Sequence, residues 1–100
     1  MNWIVKNING FLRMKIRFFG SPTCEDCLQF YVLLSKYEID YEYINALDED
    51  ELIQAFCDLH EVDELPHIQF LSDKGNIYLQ HTGFISEELF RRYLAIFDEE

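Results

Sequence analysis

Apolar residues first alternate with polar ones along this chain and then recur at every third or fourth position. Ile16 and Phe18 flank Arg17, and this period of two predicts a strand over residues 15–19. From Cys24 onward the period becomes three and four, which predicts a helix that ends near Lys36. The apolar stripe of this helix is predicted to consist of Cys27, Leu28, Tyr31, Leu34 and Tyr37.

The rest of the pattern predicts a short strand, a second helix, a hairpin and a closing helix. The short strand contains Tyr41, Tyr43 and Ile44. Acidic residues 48–50 suit the start of a helix, whose apolar stripe is Leu52, Phe56 and Leu59. Strands over 67–71 and 77–80 flank a turn at 72–76. Ser86 is a good N-cap for a helix with apolar residues Leu89, Phe90, Tyr93, Leu94 and Phe97.

This order, β-α-β-α-β-β-α, predicts an α/β domain with a central four-stranded mixed sheet flanked by helices. The first β-α-β unit gives a parallel pair through a right-handed crossover, and the hairpin adds an antiparallel pair. We assign residues 14–100 to this domain and residues 1–13 to an N-terminal extension. The extension is rich in apolar side chains, which favours packing over exposure, but its pattern fits a helix, a strand or a misassigned start.

Charge is distributed unevenly along the chain. The net charge is −11, yet all 19 acidic residues follow Arg17. A body this acidic repels nucleic acid and anionic lipid, so we expect neither a nucleic acid nor a membrane as partner. It suits either a basic protein surface or simple solubility. No apolar run approaches the roughly 20 residues of a membrane span.

Two cysteines carry the candidate chemistry. Cys24 and Cys27 lie three apart at the predicted junction of strand and helix, so both sulfurs share one face of the first helical turn. Free backbone amides and the helix dipole favour a thiolate there. Cys24, first in the helix, is the candidate nucleophile, and Cys27 is the resolving thiol. The alternatives are an inert pair or half of a zinc site.

The third cysteine, Cys57, is expected to be a core residue, with a regulatory thiol as the alternative. Three cysteines do not suggest a secreted disulfide framework. We therefore expect a cytoplasmic protein, in a reducing compartment where a C-x-x-C pair is catalytic rather than structural.

Three segments in order resemble the thioredoxin superfamily: residues 18–27, which contain the C-x-x-C pair; residues 62–67, which contain Pro66; and residues 82–86, which contain Gly83. The resemblance covers roughly residues 14–97 and implies a thioredoxin fold of compact, glutaredoxin-like size. It implies that Pro66 is a cis proline facing the cysteines. The backbone of Leu65 would then pair with an extended substrate. We assign Thr23, Leu65, Pro66 and Gly83 to substrate binding.

The sequence departs from the family beside the cysteines. Glu25 and Asp26 replace residues that are usually neutral, and they oppose the thiolate that the helix N-terminus favours. We expect them to tune the pair toward a reductant, unless both point into water. Phe18 stands where thioredoxins carry a buried Asp, and His67, where the family commonly has Thr, is expected to be a partly exposed packing residue.

We therefore predict an enzyme, a dithiol–disulfide oxidoreductase that reduces protein disulfides without a cofactor or metal. Its expected partners are those disulfides and an electron donor, either a reductase or a small thiol, and we expect a monomer. One alternative is a glutathione-dependent glutaredoxin, although Ser21 and Thr23 replace the basic residue that usually holds glutathione. The other is a thioredoxin-like binding module whose cysteines are incidental.

Overall fold

The computed structural model describes residues 14–98. The predicted extension, residues 1–13, lies outside this range, and the predicted apolar residue Phe97 is described in its backbone alone. Within the described residues the chain forms four strands and three helices. The strands are β1 (Lys15–Gly20), β2 (Tyr41–Asn45), β3 (His67–Leu71) and β4 (Ile77–Thr82), and the helices are α1 (Glu25–Lys36), α2 (Glu51–Leu59) and α3 (Glu87–Asp98). The predicted element order is confirmed.

The strands form one mixed sheet in the order β2-β1-β3-β4. β1 and β2 are parallel, with Phe18 opposite Tyr43. β1 and β3 are antiparallel, with Phe19 opposite His67, and β3 pairs antiparallel with β4. The predicted mixed sheet is therefore confirmed. Because β1 and β3 run in opposite directions, the C-terminal end of β1 lies beside the N-terminal end of β3.

One face of the sheet packs against α1 and α3 through aromatic side chains. The ring of Phe18 on β1 meets Phe30 of α1 edge-on at 5.0 Å between centroids. Phe30 in turn meets Phe90 of α3 at 5.4 Å. All three are buried, and aromatic pairs of this geometry contribute about 0.5–1.5 kcal/mol beyond the area that they bury. This layer anchors the helix that begins at the two cysteines.

The apolar stripes predicted for α1 and α2 need correction. In α1 the buried residues are Cys27, Phe30, Leu33 and Leu34, whereas Leu28 and Tyr31 are exposed. In α2 Cys57 is buried, but Leu52 and Leu59 are largely exposed. α2 has only nine residues, and Phe56 and Cys57 are its residues that face the sheet. The predicted stripe of Leu52, Phe56 and Leu59 was therefore wrong at both of its ends. Asp50 caps α2 by accepting a hydrogen bond from the amide of Leu52.

The sheet face beneath α2 carries a network of hydrogen-bonded polar side chains. The amide nitrogen of Gln69 donates to Nδ1 of His60 at 3.1 Å, and its amide oxygen accepts from Arg17 at 3.0 Å. His67 bonds through Nδ1 to Thr82 and through Nε2 to Gln80, both at 2.9 Å. His67 is buried, so its prediction as a partly exposed residue was wrong. Its two hydrogen bonds compensate for the burial of a polar ring.

The predicted hairpin turn at 72–76 and the predicted N-cap Ser86 are both present. Ser72 accepts hydrogen bonds from the amides of Lys74 and Asn76 in the hairpin turn. Gly75 in that turn has φ 87°, a conformation that glycine adopts without steric cost. The hydroxyl of Ser86 accepts from the amide of Leu89. Among the described residues, no helix is long and apolar enough to cross a membrane.

Candidate active site

Cys24 and Cys27 form a disulfide, with their Cα atoms 5.1 Å apart. Cys24 is the N-cap of α1, so its side chain faces the unpaired amides of the first turn. The amide of Cys27 donates to the sulfur of Cys24 at 3.1 Å. Cys24 is partly exposed, whereas Cys27 is only 3% exposed. An attacking reagent can therefore reach Cys24 more easily than Cys27.

Close packing fixes the strand end just before the cysteines. A methyl group added at Gly20 would lie 2.9 Å from the ring of Phe18 and 3.2 Å from the sulfur of Cys27. Cβ atoms essentially never lie within 3.0 Å of another group, and a contact of 3.2 Å is also unusually tight. Gly20 therefore permits the buried sulfur and the Phe18 ring to lie together at this end of the sheet. An apolar ring borders Cys27 at this position.

The proposed substrate-binding residues lie at the same end of the sheet. Pro66 immediately precedes β3, whose first residue pairs with Phe19 near the end of β1. The peptide bond between Leu65 and Pro66 is cis, as the resemblance implies. The carbonyl of Pro66 accepts from the amide of Gly83 at 2.8 Å, which joins these two segments directly.

Two further features of this loop cluster bear on binding. Within residues 14–98 the backbone of Leu65 has no hydrogen-bond partner, so its polar groups are free to pair with an extended chain. Thr23 is exposed beside Cys24, and its hydroxyl lies 3.4 Å from that of Ser21. The residues predicted for substrate binding therefore lie at one end of the sheet.

Glu25 and Asp26 occupy the first turn of α1, and both side chains are exposed. Acidic residues at this position stabilise the helix through its dipole, by about 0.3–1 kcal/mol each. Solvent screens their repulsion of a charge on Cys24. Their position supports the alternative in which both point into water, although each still adds negative charge beside the reactive sulfur.

A pocket that the sequence analysis missed opens beside the cysteines, between α1 and the edge strand β2. Its volume is about 400 Å³, and its lining includes Phe18, Cys24, Leu28, Tyr31, Tyr41 and Tyr43. We call it the tyrosine pocket. The sequence contains part of the signal, since Tyr41 and Tyr43 alternate on one face of β2 and Tyr31 lies one turn after Cys27, but the spacing of α1 and β2 that opens the pocket depends on tertiary packing. Tyr31, predicted for the buried stripe of α1, is instead exposed and lines this pocket.

Cys57 lies apart from this site, on the α2 side of the sheet. The thiol is buried and is not in a disulfide, and burial raises its pKa, with a smaller contribution from the charge of Asp58. A raised pKa leaves less thiolate, the reactive form. The prediction of a core cysteine is confirmed in its burial.

Comparison with known proteins finds similarity of structure without similarity of sequence. No family model and no curated protein matches this chain. A mutant thioredoxin from Halobacterium salinarum superposes with a TM-score of 0.71 at 12% identity, covering 97% of this chain and 85% of that one. Oxidised thioredoxin O2 from Arabidopsis thaliana gives 0.66 at 13% identity, with coverages of 90% and 85%. Thioredoxin 1 from Thermosipho africanus gives 0.56 at 20% identity, with 82% and 96%.

Such identities establish the fold alone. The mixed four-stranded sheet and its three helices match these neighbours over most of the chain. The chain has the thioredoxin fold.

Proposed function

We propose that this protein is a dithiol–disulfide oxidoreductase that reduces disulfide bonds in other proteins. One observation carries the proposal: Cys24 lies partly exposed at the N-cap of α1, paired with the buried Cys27. This is the arrangement in which one sulfur meets the substrate and the other completes the exchange. The two sulfurs are joined in the structure, which corresponds to the state of the protein after it has reduced a substrate.

The reaction follows from the positions of the two sulfurs. The Cys24 thiolate attacks one sulfur of a substrate disulfide, forms a mixed disulfide and displaces the first substrate thiolate. The Cys27 thiolate then attacks the sulfur of Cys24, which releases the second substrate thiolate and closes the Cys24–Cys27 bond. Two electrons pass from the protein to the substrate, and two protons from solution convert the released thiolates to thiols. An external dithiol or thiol donor must then reduce the protein again.

Docking of the substrate is assigned to the loops beside the dithiol. The free backbone of Leu65 can add a short extended segment of substrate, and Gly83, whose amide donates to the carbonyl of Pro66, borders the same loop. Thr23 borders the exposed side of Cys24. These roles place the scissile disulfide against Cys24 while Cys27 stays shielded from the partner.

The charge at the site favours one class of electron donor over another. Glutathione is anionic, two exposed carboxylates lie next to Cys24, and none of the described residues that line the tyrosine pocket is basic. We therefore propose a protein reductase as the donor rather than glutathione. A catalytic pair that must return to the dithiol form suits a reducing compartment, so we propose the cytoplasm as its location. It acts as a monomer in this proposal.

Reduction of insulin tests the proposal. Wild-type protein with a dithiol reagent should accelerate the precipitation of insulin B chains well above the reagent alone. Consumption of NADPH should then follow with thioredoxin reductase, and it should be much slower with glutathione and glutathione reductase. Faster turnover with glutathione would favour a glutaredoxin. No acceleration of insulin reduction would contradict the oxidoreductase and leave a binding module.

A further inference from the structure

The reaction described above uses only the part of the tyrosine pocket that Thr23 and the two cysteines line. Leu65, Pro66 and Gly83 belong to the loops at the C-terminal end of β1 and the N-terminal end of β3. The tyrosine pocket instead lies between α1 and β2, the strand at the edge of the sheet. Cys24 borders it directly, so a molecule bound there touches the reactive sulfur.

Four aromatic rings shape the pocket. Tyr43 lies edge-on to Phe18 at 5.3 Å between centroids, and Tyr41 lies edge-on to Tyr31 at 6.3 Å. Tyr31 and Tyr43 are each nearly half exposed, although the rings line a concavity. Aromatic rings prefer edge-to-face or offset contacts with another ring. A volume near 400 Å³ admits the largest aromatic side chain together with part of its backbone.

The tyrosine hydroxyls add polar groups to the rim. Within the described residues, the hydroxyls of Tyr31, Tyr41 and Tyr43 have no hydrogen-bond partner. Burial raises the pKa of both Tyr41 and Tyr43, so both remain neutral donors at physiological pH. They can donate to backbone carbonyls of a bound peptide, which an apolar small molecule would not supply.

Charge at the pocket selects the neighbours of that aromatic side chain. Glu25 is the one charged side chain among the described residues that line the pocket, and Asp26 follows it. Their carboxylates attract a cation and repel an anion, and aromatic faces also attract a Lys or Arg. The net charge of −11 for the whole chain steers a basic segment toward this surface.

We propose that the tyrosine pocket binds an aromatic side chain of the protein substrate, next to its reactive cysteine, while a neighbouring Lys or Arg pairs with Glu25. This proposal rests on the proposed function, and it names the class of substrate: disulfides in aromatic and basic sequence. The two surfaces then hold the substrate on either side of Cys24. The loop of Leu65 binds its backbone, and the pocket selects its side chains.

Three disulfide-bonded peptides test the proposal. The first carries a tryptophan and a lysine beside its reactive cysteine, the second has alanine for the tryptophan, and the third has glutamate for the lysine. We expect kcat/KM for the first to exceed that for each of the others by about tenfold. The advantage over the glutamate peptide should shrink in 0.5 M salt, because screening weakens charge pairing.

Variants of the protein test whether the pocket causes these preferences among the peptides. Tyr31→Ala and Tyr43→Thr, both at exposed positions, should reduce the preference for tryptophan over alanine to about twofold or less. Glu25→Gln should reduce the preference for lysine over glutamate. Leu52→Ala removes an exposed apolar residue of α2 and serves as the control, in which both preferences persist. Equal kcat/KM for the tryptophan and alanine peptides in the wild type would overturn the proposal.

A binding measurement separates failure of the pocket from failure of the proposed function. The double variant Cys24→Ser, Cys27→Ser cannot exchange disulfides, and calorimetry should show that it binds the tryptophan peptide more tightly than the alanine peptide. If no peptide is reduced but this difference remains, the oxidoreductase fails and the pocket stands. If the difference is absent, the pocket proposal fails. A dimer in sedimentation that Tyr31→Ala dissociates would assign the pocket to a second copy and overturn it.

Discussion

The backbone amide of Cys27 points at the sulfur of Cys24, 3.1 Å away. This amide is one of the donors that the first turn of a helix leaves unpaired. In the dithiol form the same amide lies within reach of a Cys24 thiolate, and hydrogen bonds to a charged group are stronger than those to a neutral one. The geometry therefore favours charge on Cys24 rather than on Cys27, which is buried.

Serine variants of the two cysteines should separate their roles. Cys24→Ser removes the attacking sulfur, so insulin reduction should fall to the rate of the reagent alone. Cys27→Ser leaves attack intact but removes the second step, so mass spectrometry should detect a mixed disulfide on Cys24. Cys57→Ala is the matched control, and it should keep activity while losing about 1–2 kcal/mol of stability. Full activity in Cys24→Ser would contradict the proposed mechanism.

Much of this geometry could be predicted from the sequence because it depends on local pattern. A period of two before Gly20 and a period of three to four after Cys24 place a strand-to-helix junction at the cysteines. The parallel and antiparallel pairs then follow from the element order. The cis peptide at Pro66 followed from resemblance alone, because no local pattern distinguishes it from a trans proline.

The tyrosine pocket and the burial of His67 could not be predicted in the same way. Whether Leu28 and Tyr31 face the core or a pocket depends on how far α1 lies from the edge strand, which is a property of tertiary packing. The burial of His67 depends on Gln80 and Thr82, which the hairpin brings across from β4. Leu52 and Leu59 remain exposed for a related reason, since α2 covers the sheet with few residues.

Substitution of Gly20 should disturb both the fold and the dithiol. In Gly20→Ala the new methyl group would lie 2.9 Å from the Phe18 ring and 3.2 Å from the Cys27 sulfur. Overpacking of this kind costs about 1–3 kcal/mol, measurable by urea unfolding, and the reduction potential should shift as the sulfur moves. Gly75→Ala is the control: space is open there, although φ is +87°, so it should lose stability without a change in potential.

A second variant tests the cause of that effect. Phe18→Leu replaces the ring that the methyl group would meet with a smaller side chain. Gly20→Ala should therefore lose less stability in the Phe18→Leu background than in the wild type. A double-mutant cycle measures this coupling. Additive losses in the cycle would show that the contact with Phe18 does not limit the size of residue 20.

Stability should fall as the pH is lowered below about 6.5, because of His60. Burial, together with the charges of Arg17 and His67, lowers the pKa of His60. The unfolded chain then binds a proton near pH 6.5 that the folded chain resists, so acid favours unfolding. We expect a lower urea midpoint at pH 5.5 than at pH 7.5, and a smaller difference in His60→Gln. An equal difference in both proteins would contradict this origin.

A chain that begins at Met14 should fold by itself. Residues 14–98 form a four-stranded sheet and a continuous buried cluster that includes Met14, Phe18, Phe30 and Phe90. This core should support cooperative thermal unfolding, and the shortened chain should still reduce insulin. Loss of a cooperative transition, or of activity, would show that residues 1–13 contribute to the core and are not a dispensable extension.

The acidic pair after Cys24 should make the dithiol a stronger reductant. Removing both charges in Glu25→Gln, Asp26→Asn should stabilise the Cys24 thiolate, and with it the reduced form, so the reduction potential should rise. About 30 mV corresponds to roughly 1.4 kcal/mol for this two-electron couple. Because both side chains are exposed, we expect a shift of about that size or less, and a smaller shift in high salt.

A redox titration against a dithiol buffer measures this shift, and ultraviolet absorbance follows the thiolate. The control, Glu38→Gln, Asp40→Asn, removes two exposed acids beyond the other end of α1 and should leave the potential unchanged. The active-site variant should also lose up to about 1 kcal/mol of stability per acid, because each carboxylate interacts favourably with the helix dipole. If stability falls while the potential at low salt stays constant, the two acids serve the helix and the choice of partner, and the potential is set by the hydrogen bond to Cys24 and the burial of Cys27.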